Sequence, residues 1–118
     1  MTDFVHLYDS AGRWIAWYRR GVPYVWNVHD VWIGWFGWHD EPGDLAHDVL
    51  DPAGEYLGTV VGDRLWRKTY RTPVPPSRRV GEPQRPTGPP DVDRAAGCPP
   101  PSGFLDVEQA SLRGDRRT

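Results

Sequence analysis

The chain has 118 residues, a formal net charge of −2, seven tryptophans and one cysteine. This length predicts at most one domain, the single cysteine excludes an intrachain disulfide framework or a Cys-based zinc site, and no apolar run reaches the ~18 residues of a transmembrane helix. Because no basic region followed by an apolar run opens the sequence, no signal peptide is predicted, and we expect a soluble cytoplasmic protein.

Aromatic residues and prolines divide the chain near residue 71. Fourteen of the fifteen aromatic residues lie within 1–70, and ten of the thirteen prolines lie within 73–101. Large aromatic side chains build a core, whereas proline-rich sequence favours stiff, unpacked chain. The predicted organisation is a β-hairpin repeat domain over 1–71, a disordered Pro/Arg/Gly-rich linker over 72–103 and a short tail over 104–118.

Charge follows the same division. Residues 1–70 carry six Lys/Arg and ten Asp/Glu, a balance of −4, and residues 71–118 carry eight and six, a balance of +2. A nucleic-acid interface normally needs a basic patch. A nucleic-acid partner is therefore not expected.

One aromatic segment recurs along the predicted domain. The segment from Leu7 to Tyr18 recurs 18 residues later, from Val25 to Phe36, and again 42 residues after the first copy, from Val49 to Val60. Each copy contains an Asp or Asn that can bond backbone amides two residues on, followed by a Gly or Asp where positive φ is tolerated. Each copy therefore predicts two short strands joined by a turn of about four residues.

The same alignment predicts how the hairpins pack. Ala16, Gly34 and Gly58 occupy one equivalent place, which suggests close approach of neighbouring backbones. A partial fourth copy begins at Arg64, so the first strand, Phe4 to Tyr8, is expected to help close the ring. The predicted fold is all-β, with short antiparallel hairpins around a pseudo-fourfold axis; an SH3-like barrel is the alternative.

Three short motifs lie in the repeated copies: Tyr8-Asp9-Ser10-x-Gly12 leading to Ile15-Ala16, Ile33-Gly34-Trp35-Phe36, and His47-Asp48 leading into Asp51-x-x-Gly54. Together they resemble the 4-fold beta flower domain family. The resemblance covers about residues 4–70 and implies a small bacterial module of four hairpin petals without an established activity. The chain departs from the family pattern at Asp30, which replaces a turn glycine, and by an insertion over 39–43.

The densest polar cluster lies between the second and third copies. Two His and four carboxylates occur within 38–48 and could bind a divalent metal, but no recognised ligand spacing appears. A solvated acidic loop is therefore the favoured interpretation, with Trp38 beside it as the tryptophan expected to be exposed. The candidate binding residues are Trp38, His39, Asp40, Asp44, His47 and Asp48, with His39 and His47 as possible metal ligands; no catalytic residue and no cofactor is predicted.

Two features lie beyond the domain. The segment from Pro73 to Arg78 matches the P-x-x-P-x-Arg pattern read by polyproline grooves, although a stiff linker that matches by composition is the favoured interpretation. The apolar island from Phe104 to Leu112 has capping-box spacing between Asp106 and Gln109, which predicts a helix of one or two turns over 106–112.

Three classes of function fit these observations. The leading one is a non-catalytic interaction module that binds another protein through its aromatic surface or its Pro-rich tail. The others are binding of a carbohydrate-like ligand by aromatic stacking and a small metal-dependent hydrolase built on the cluster from His39 to Asp48. A closed ring without free strand edges favours a monomer.

Overall fold

In a computed structural model, the structure describes residues 3–38, 47–71, 75–76, 80–90 and 92–113. Within these ranges it contains eight strands and one short 3₁₀ helix. The strands are β1 (Phe4–Tyr8), β2 (Trp14–Arg19), β3 (Tyr24–Asn27), β4 (Trp32–Phe36), β5 (Asp48–Leu50), β6 (Tyr56–Val61), β7 (Arg64–Lys68) and β8 (Phe104–Asp106), and the 3₁₀ helix spans Gln109–Arg113.

The strands form one sheet whose order follows the chain from β1 to β8. Consecutive strands are antiparallel, and a parallel contact between β1 and β7 closes the first seven into a barrel. At the closure Tyr8 pairs with Arg64, the Tyr8 amide donates to Asp63 O at 2.9 Å, and Arg64 Nη1 donates to Asp9 O at 2.7 Å. The predicted all-β class is confirmed, and β1 takes part in closure as expected.

Three hairpin turns share one hydrogen-bond pattern. In each, a side-chain oxygen accepts from the amides two and four residues on, at 2.8–3.0 Å. The residue three positions on takes a positive φ of 83°, 63° or 91°. The accepting residues are Asp9, Asn27 and Asp51, and the residues with positive φ are Gly12, Asp30 and Gly54.

Asp30 keeps its place in the second turn through contacts that glycine lacks. Its Oδ1 accepts from Trp17 Nε1 at 3.2 Å, and its Oδ2 accepts from the Gly88 amide at 3.3 Å. Non-glycine residues with positive φ are uncommon, and Asp is among those that tolerate it. The departure from the turn-glycine pattern therefore links the turn to a neighbouring strand and to the C-terminal part of the chain.

The barrel centre places a large apolar residue opposite a small one in each of the first three hairpins. A Cβ added to Gly34 would lie 2.7 Å from Leu50 O, and one added to Gly58 would lie 2.7 Å from Trp66 O. The close backbone approach expected from the small residues is therefore present. The pairs are Leu7–Ala16, Val25–Gly34 and Val49–Gly58.

Strand β7 has a further partner from beyond the domain boundary predicted at residue 71. β8 pairs with the edge of β7 that also contacts β1. The contact with β1 is at Arg64, and the pairing with β8 begins two residues later, at Trp66. Immediately after β8, Val107 and Leu112 are buried in the main apolar core. Asn27 Nδ2 donates to Leu112 O at 2.9 Å. The C-terminal segment 104–113 is thus packed into the barrel.

The helical turn near the C-terminus differs from the one predicted over 106–112. The chain is extended through Asp106, and the helical residues are Gln109–Arg113, in a 3₁₀ conformation. The Asp106 carboxylate accepts from the Ser10 amide at 2.8 Å and from Ser10 Oγ at 2.5 Å. Because this side chain joins β8 to the first turn, it is not available as a helix cap.

The Pro-rich segment follows the barrel surface. Its described residues, 75–76, 80–90 and 92–103, contain no helix or strand. The Ala95 amide donates to Gly12 O at 2.8 Å, and the Cys98 amide donates to Ser10 O at 2.9 Å. The disorder predicted over 72–103 stays a prediction, but these residues contact the barrel at defined points.

Candidate functional site

The predicted polar cluster is only partly within the described residues. Trp38, His47 and Asp48 are described, whereas His39, Asp40 and Asp44 lie outside the described ranges. The three described members have different surroundings. His47 is exposed beside a recess of about 250 Å³, and Trp38 and Asp48 are buried.

Asp48 is at the centre of a buried ionic network. Its carboxylate is fully buried, lies 3.1 Å from Lys68 Nζ and 2.9 Å from Arg71 Nε, and accepts from Thr59 Oγ1 at 2.8 Å. Both cations are about 85% buried. A buried carboxylate with paired cations and a hydrogen bond satisfies the requirements of a structural ion pair. This arrangement ties β5 to β6, β7 and Arg71.

The expectation that Trp38 is exposed is wrong. Its side chain is 3% exposed, and its Nε1 donates to Pro75 O at 3.0 Å. The Arg71 guanidinium lies 5.3 Å from the Trp38 ring centre and 4.4 Å from the Tyr56 ring centre. Trp38 is thus covered by the Arg71 guanidinium, which follows the end of β7, and by the Pro-rich segment.

No group of three or more His, Cys, Asp or Glu side chains within the described ranges could hold a metal ion. Among the described residues, His47 therefore has no neighbouring side chains that would complete a metal site. His39, the other candidate ligand, lies outside those ranges.

The Pro-rich segment crosses a surface of aromatic side chains, which we call the aromatic face: Tyr24, Trp26, Trp32 and Trp38. At one end Trp38 Nε1 donates to Pro75 O, and near the middle Tyr24 Oη donates to Gly81 O at 2.8 Å. Between these bonds Val80 packs on the buried apolar cluster of Trp35, Trp38 and Leu50, as Tyr24 and Trp32 also do. The barrel therefore donates to two main-chain carbonyls of its own Pro-rich segment.

The contact continues past Gly81. Residues 82–85 line a recess together with Trp26 and Trp32 of the aromatic face. Beyond the recess, Arg85 Nη2 donates to His29 O at 3.0 Å. A stretch from Pro75 to Gly88, as far as it is described, thus follows the second hairpin by main-chain, apolar and charged contacts.

A second concave surface, which we call the Trp14 groove, lies between the first and second turns. Two adjoining cavities of about 350 and 590 Å³ share four lining residues. These four residues form two pairs that lie 14 to 16 positions apart in the sequence. The remaining walls come from Ile15, Asn27 and Val31, from Val92 and Arg94, and from the C-terminal segment, so no contiguous motif indicates this surface. The shared residues are Arg13, Trp14, Val28 and His29.

His6 lies behind this groove. Its ring centre is 5.4 Å from that of Trp14, and its Nε2 is buried without a hydrogen-bond partner among the described residues. Burial lowers the pKa of the His6 imidazole from its ordinary value of 6.5. Protonation would place a charge and an unpaired N–H in this position, so the neutral form is favoured in the folded protein.

The described part of the chain contains no helix long and apolar enough to cross a membrane, and the cytoplasmic location stays a prediction. No family model matches the sequence, and no curated protein or solved structure matches it either.

Proposed function

We propose that the protein is a non-catalytic binding module whose aromatic face binds extended, proline-containing peptide. The observation that carries this proposal is the pair of hydrogen bonds from Trp38 Nε1 and Tyr24 Oη to Pro75 O and Gly81 O. Proline-rich peptides have main-chain carbonyls without internal partners, and aromatic grooves with N–H or O–H donors recognise them. In the intact chain the ligand is the protein's own segment.

Apolar packing supports the same proposal. Val80 is packed against the buried cluster of Trp35, Trp38 and Leu50, and a Cβ on Gly37 would lie 3.1 Å from Pro76 Cβ. The alternative hydrolase gains no support from Asp48, because two cations and a hydroxyl already bind that carboxylate. Carbohydrate stacking remains an outcome of the test below.

Because the segment is tethered, it competes with any free peptide at an effective concentration on the order of millimolar. The test therefore uses a full-length chain that carries four substitutions, Pro75→Ser, Pro76→Ser, Val80→Ser and Pro83→Ser, which we call the four-serine variant. A labelled peptide with the natural sequence of residues 72–88 is titrated into this variant and into the natural chain, with fluorescence anisotropy as the readout. Sugars are titrated separately with tryptophan fluorescence as the readout.

The four-serine variant is expected to bind the peptide at least about tenfold more tightly than the natural chain does. Adding Tyr24→Phe to it should weaken binding about two- to tenfold, the loss of one hydrogen bond. Tyr70→Phe is the matched control, because Tyr70 is 83% exposed and lies outside the aromatic face. Absence of peptide binding, or equal effects of the two tyrosine substitutions, would reject the proposal; quenching by sugars without peptide binding would favour carbohydrate stacking.

We also propose that the four hairpins, β1–β2, β3–β4, β5–β6 and β7–β8, are petals around a pseudo-fourfold axis, as the resemblance to the 4-fold beta flower family implies. The shared hydrogen bonds of three turns and the three large–small pairs support this view. An experimental structure in which successive hairpins superpose by rotations of about a quarter turn would agree with it. Unequal rotations would favour an ordinary SH3-like barrel.

A further inference from the structure

The Trp14 groove has an uneven charge. Arg13 lines both cavities, Arg113 lines the cavity of about 350 Å³ and Arg94 lines the cavity of about 590 Å³, and none of the described lining residues is a carboxylate. The chain as a whole carries a net charge of −2, so this is a local excess of positive charge. A concave surface with one sign of charge concentrates ligands of the opposite sign.

The guanidinium groups remain accessible to a ligand. Arg13 donates through Nε to Asp9 Oδ2 at 3.0 Å, yet its side chain is 54% exposed. Among the described residues, no carboxylate forms an ion pair with Arg94 or Arg113, and both residues are exposed. Guanidinium groups bind phosphates and carboxylates through paired N–H donors.

Trp14 supplies the apolar part of the groove. Its Nε1 already donates to Ala16 O at 2.7 Å, and His6 packs against the ring. Because its N–H is satisfied, the half-buried indole can offer its ring to a ligand. Val28, Val31 and Leu112 extend the apolar lining beside it. A flat ring stacks well on such a surface.

We infer that the Trp14 groove binds a small ligand in which a planar ring is joined to an anionic group, a phosphate or a carboxylate. The ring stacks on Trp14, and the anion is held by Arg13, which lines both cavities, while Arg94 in one cavity and Arg113 in the other add positive charge. The cavity of about 350 Å³ lies within the range of small-molecule sites. This inference goes beyond the peptide-binding proposal and rests on different side chains.

The experiment uses the full chain and isothermal titration calorimetry. Adenosine monophosphate is the phosphate probe and indole-3-carboxylate the carboxylate probe, while adenosine and inorganic phosphate each carry only one half of the ligand. Arg94→Gln and Arg113→Gln are compared with Arg67→Gln, an exposed arginine on β7 outside the groove. Because all three side chains are exposed, the substitutions leave the fold intact, which circular dichroism verifies.

At least one probe that contains both ring and anion should bind, about tenfold or more tightly than adenosine or phosphate alone. Arg94→Gln and Arg113→Gln should each weaken it about threefold or more, added salt should weaken it further, and Arg67→Gln should have no effect. The relative affinities of the two probes distinguish phosphate from carboxylate. Failure of both probes to bind, binding of both probes no tighter than that of adenosine and phosphate, or equal effects of the three arginine substitutions would overturn the inference.

Discussion

The Asp48 carboxylate is fully buried and is bound by three side chains, those of Thr59, Lys68 and Arg71. Removing one partner from a buried ionic group is costly, because the remaining charges stay desolvated. In this network a single carboxylate compensates two cations, so its role in stability is larger than that of either cation.

Asp48→Asn is therefore expected to lower the free energy of unfolding by about 3–5 kcal/mol. Thr59→Val removes the hydroxyl, which bonds both to this carboxylate and to Tyr56 Oη, but it keeps both cations and is expected to cost about 1–2 kcal/mol. Urea unfolding followed by tryptophan fluorescence measures both. A loss for Asp48→Asn no larger than that for Thr59→Val would contradict a structural role for the ion pair.

The buried His6 imidazole predicts that the stability of the folded protein depends on pH. Burial lowers its pKa in the folded state below the unfolded value of 6.5, so the unfolded chain binds more protons between these two pKa values. Stability should therefore fall as the pH drops from about 6.5 toward the folded-state pKa. In urea unfolding between about pH 7 and pH 5, His6→Gln should lose less stability than the natural chain. Parallel losses in the two chains would show that His6 does not contribute.

The burial of Trp38 and Asp48 could not be predicted from the sequence. The polar neighbourhood of Trp38 and Asp48 indicated an exposed loop, and both side chains are buried. The signal in that stretch was composition alone. Burial of Asp48 depends on Lys68 and Arg71, twenty or more positions away, and nothing in the local sequence indicates that pairing.

Among the secondary-structure elements, the hairpins could be predicted from the sequence because the residues that determine them are close together in the chain. Asp9, Asn27 and Asp51 each accept from amides within four residues, and a positive φ follows at a fixed spacing. β8 was not accessible for the opposite reason. It has only three residues, and its partner strand β7 is separated from it by residues 69–103.

The role of the C-terminal segment leads to a prediction with a matched pair of leucines. Leu112 is 8% exposed in the core, and Leu105 on β8 is 53% exposed. Leu112→Ala is expected to lower the free energy of unfolding by about 2–4 kcal/mol, and Leu105→Ala by less than about 0.5 kcal/mol. Thermal and urea unfolding of the full-length variants measure both. Equal, small effects would mean that residues 104–113 are not part of the folded domain.

At the scale of the whole molecule, the two halves that the composition separates are in contact. Trp38 and Tyr24 of the aromatic part donate hydrogen bonds to main-chain carbonyls of the proline-rich part. Val80 of the proline-rich part also packs against the buried apolar cluster that contains Trp38. The sequence indicated an aromatic surface and a proline-rich segment as separate partner sites. That they meet each other depends on the path of the chain around the barrel, which neither composition nor motif contains.

In the intact chain the aromatic face binds the Pro-rich segment through the Trp38 and Tyr24 hydrogen bonds. Hydrogen exchange of the tryptophan indole N–H groups, measured by ¹⁵N NMR in the natural chain and in the four-serine variant, tests this contact. Trp38 Nε1 bonds to Pro75 O, whereas Trp14 Nε1 bonds to Ala16 O within the barrel and is the internal control. We expect Trp38 to exchange at least about tenfold faster in the variant while Trp14 is unchanged. Equal Trp38 exchange rates in the two chains would show that the segment does not cover Trp38.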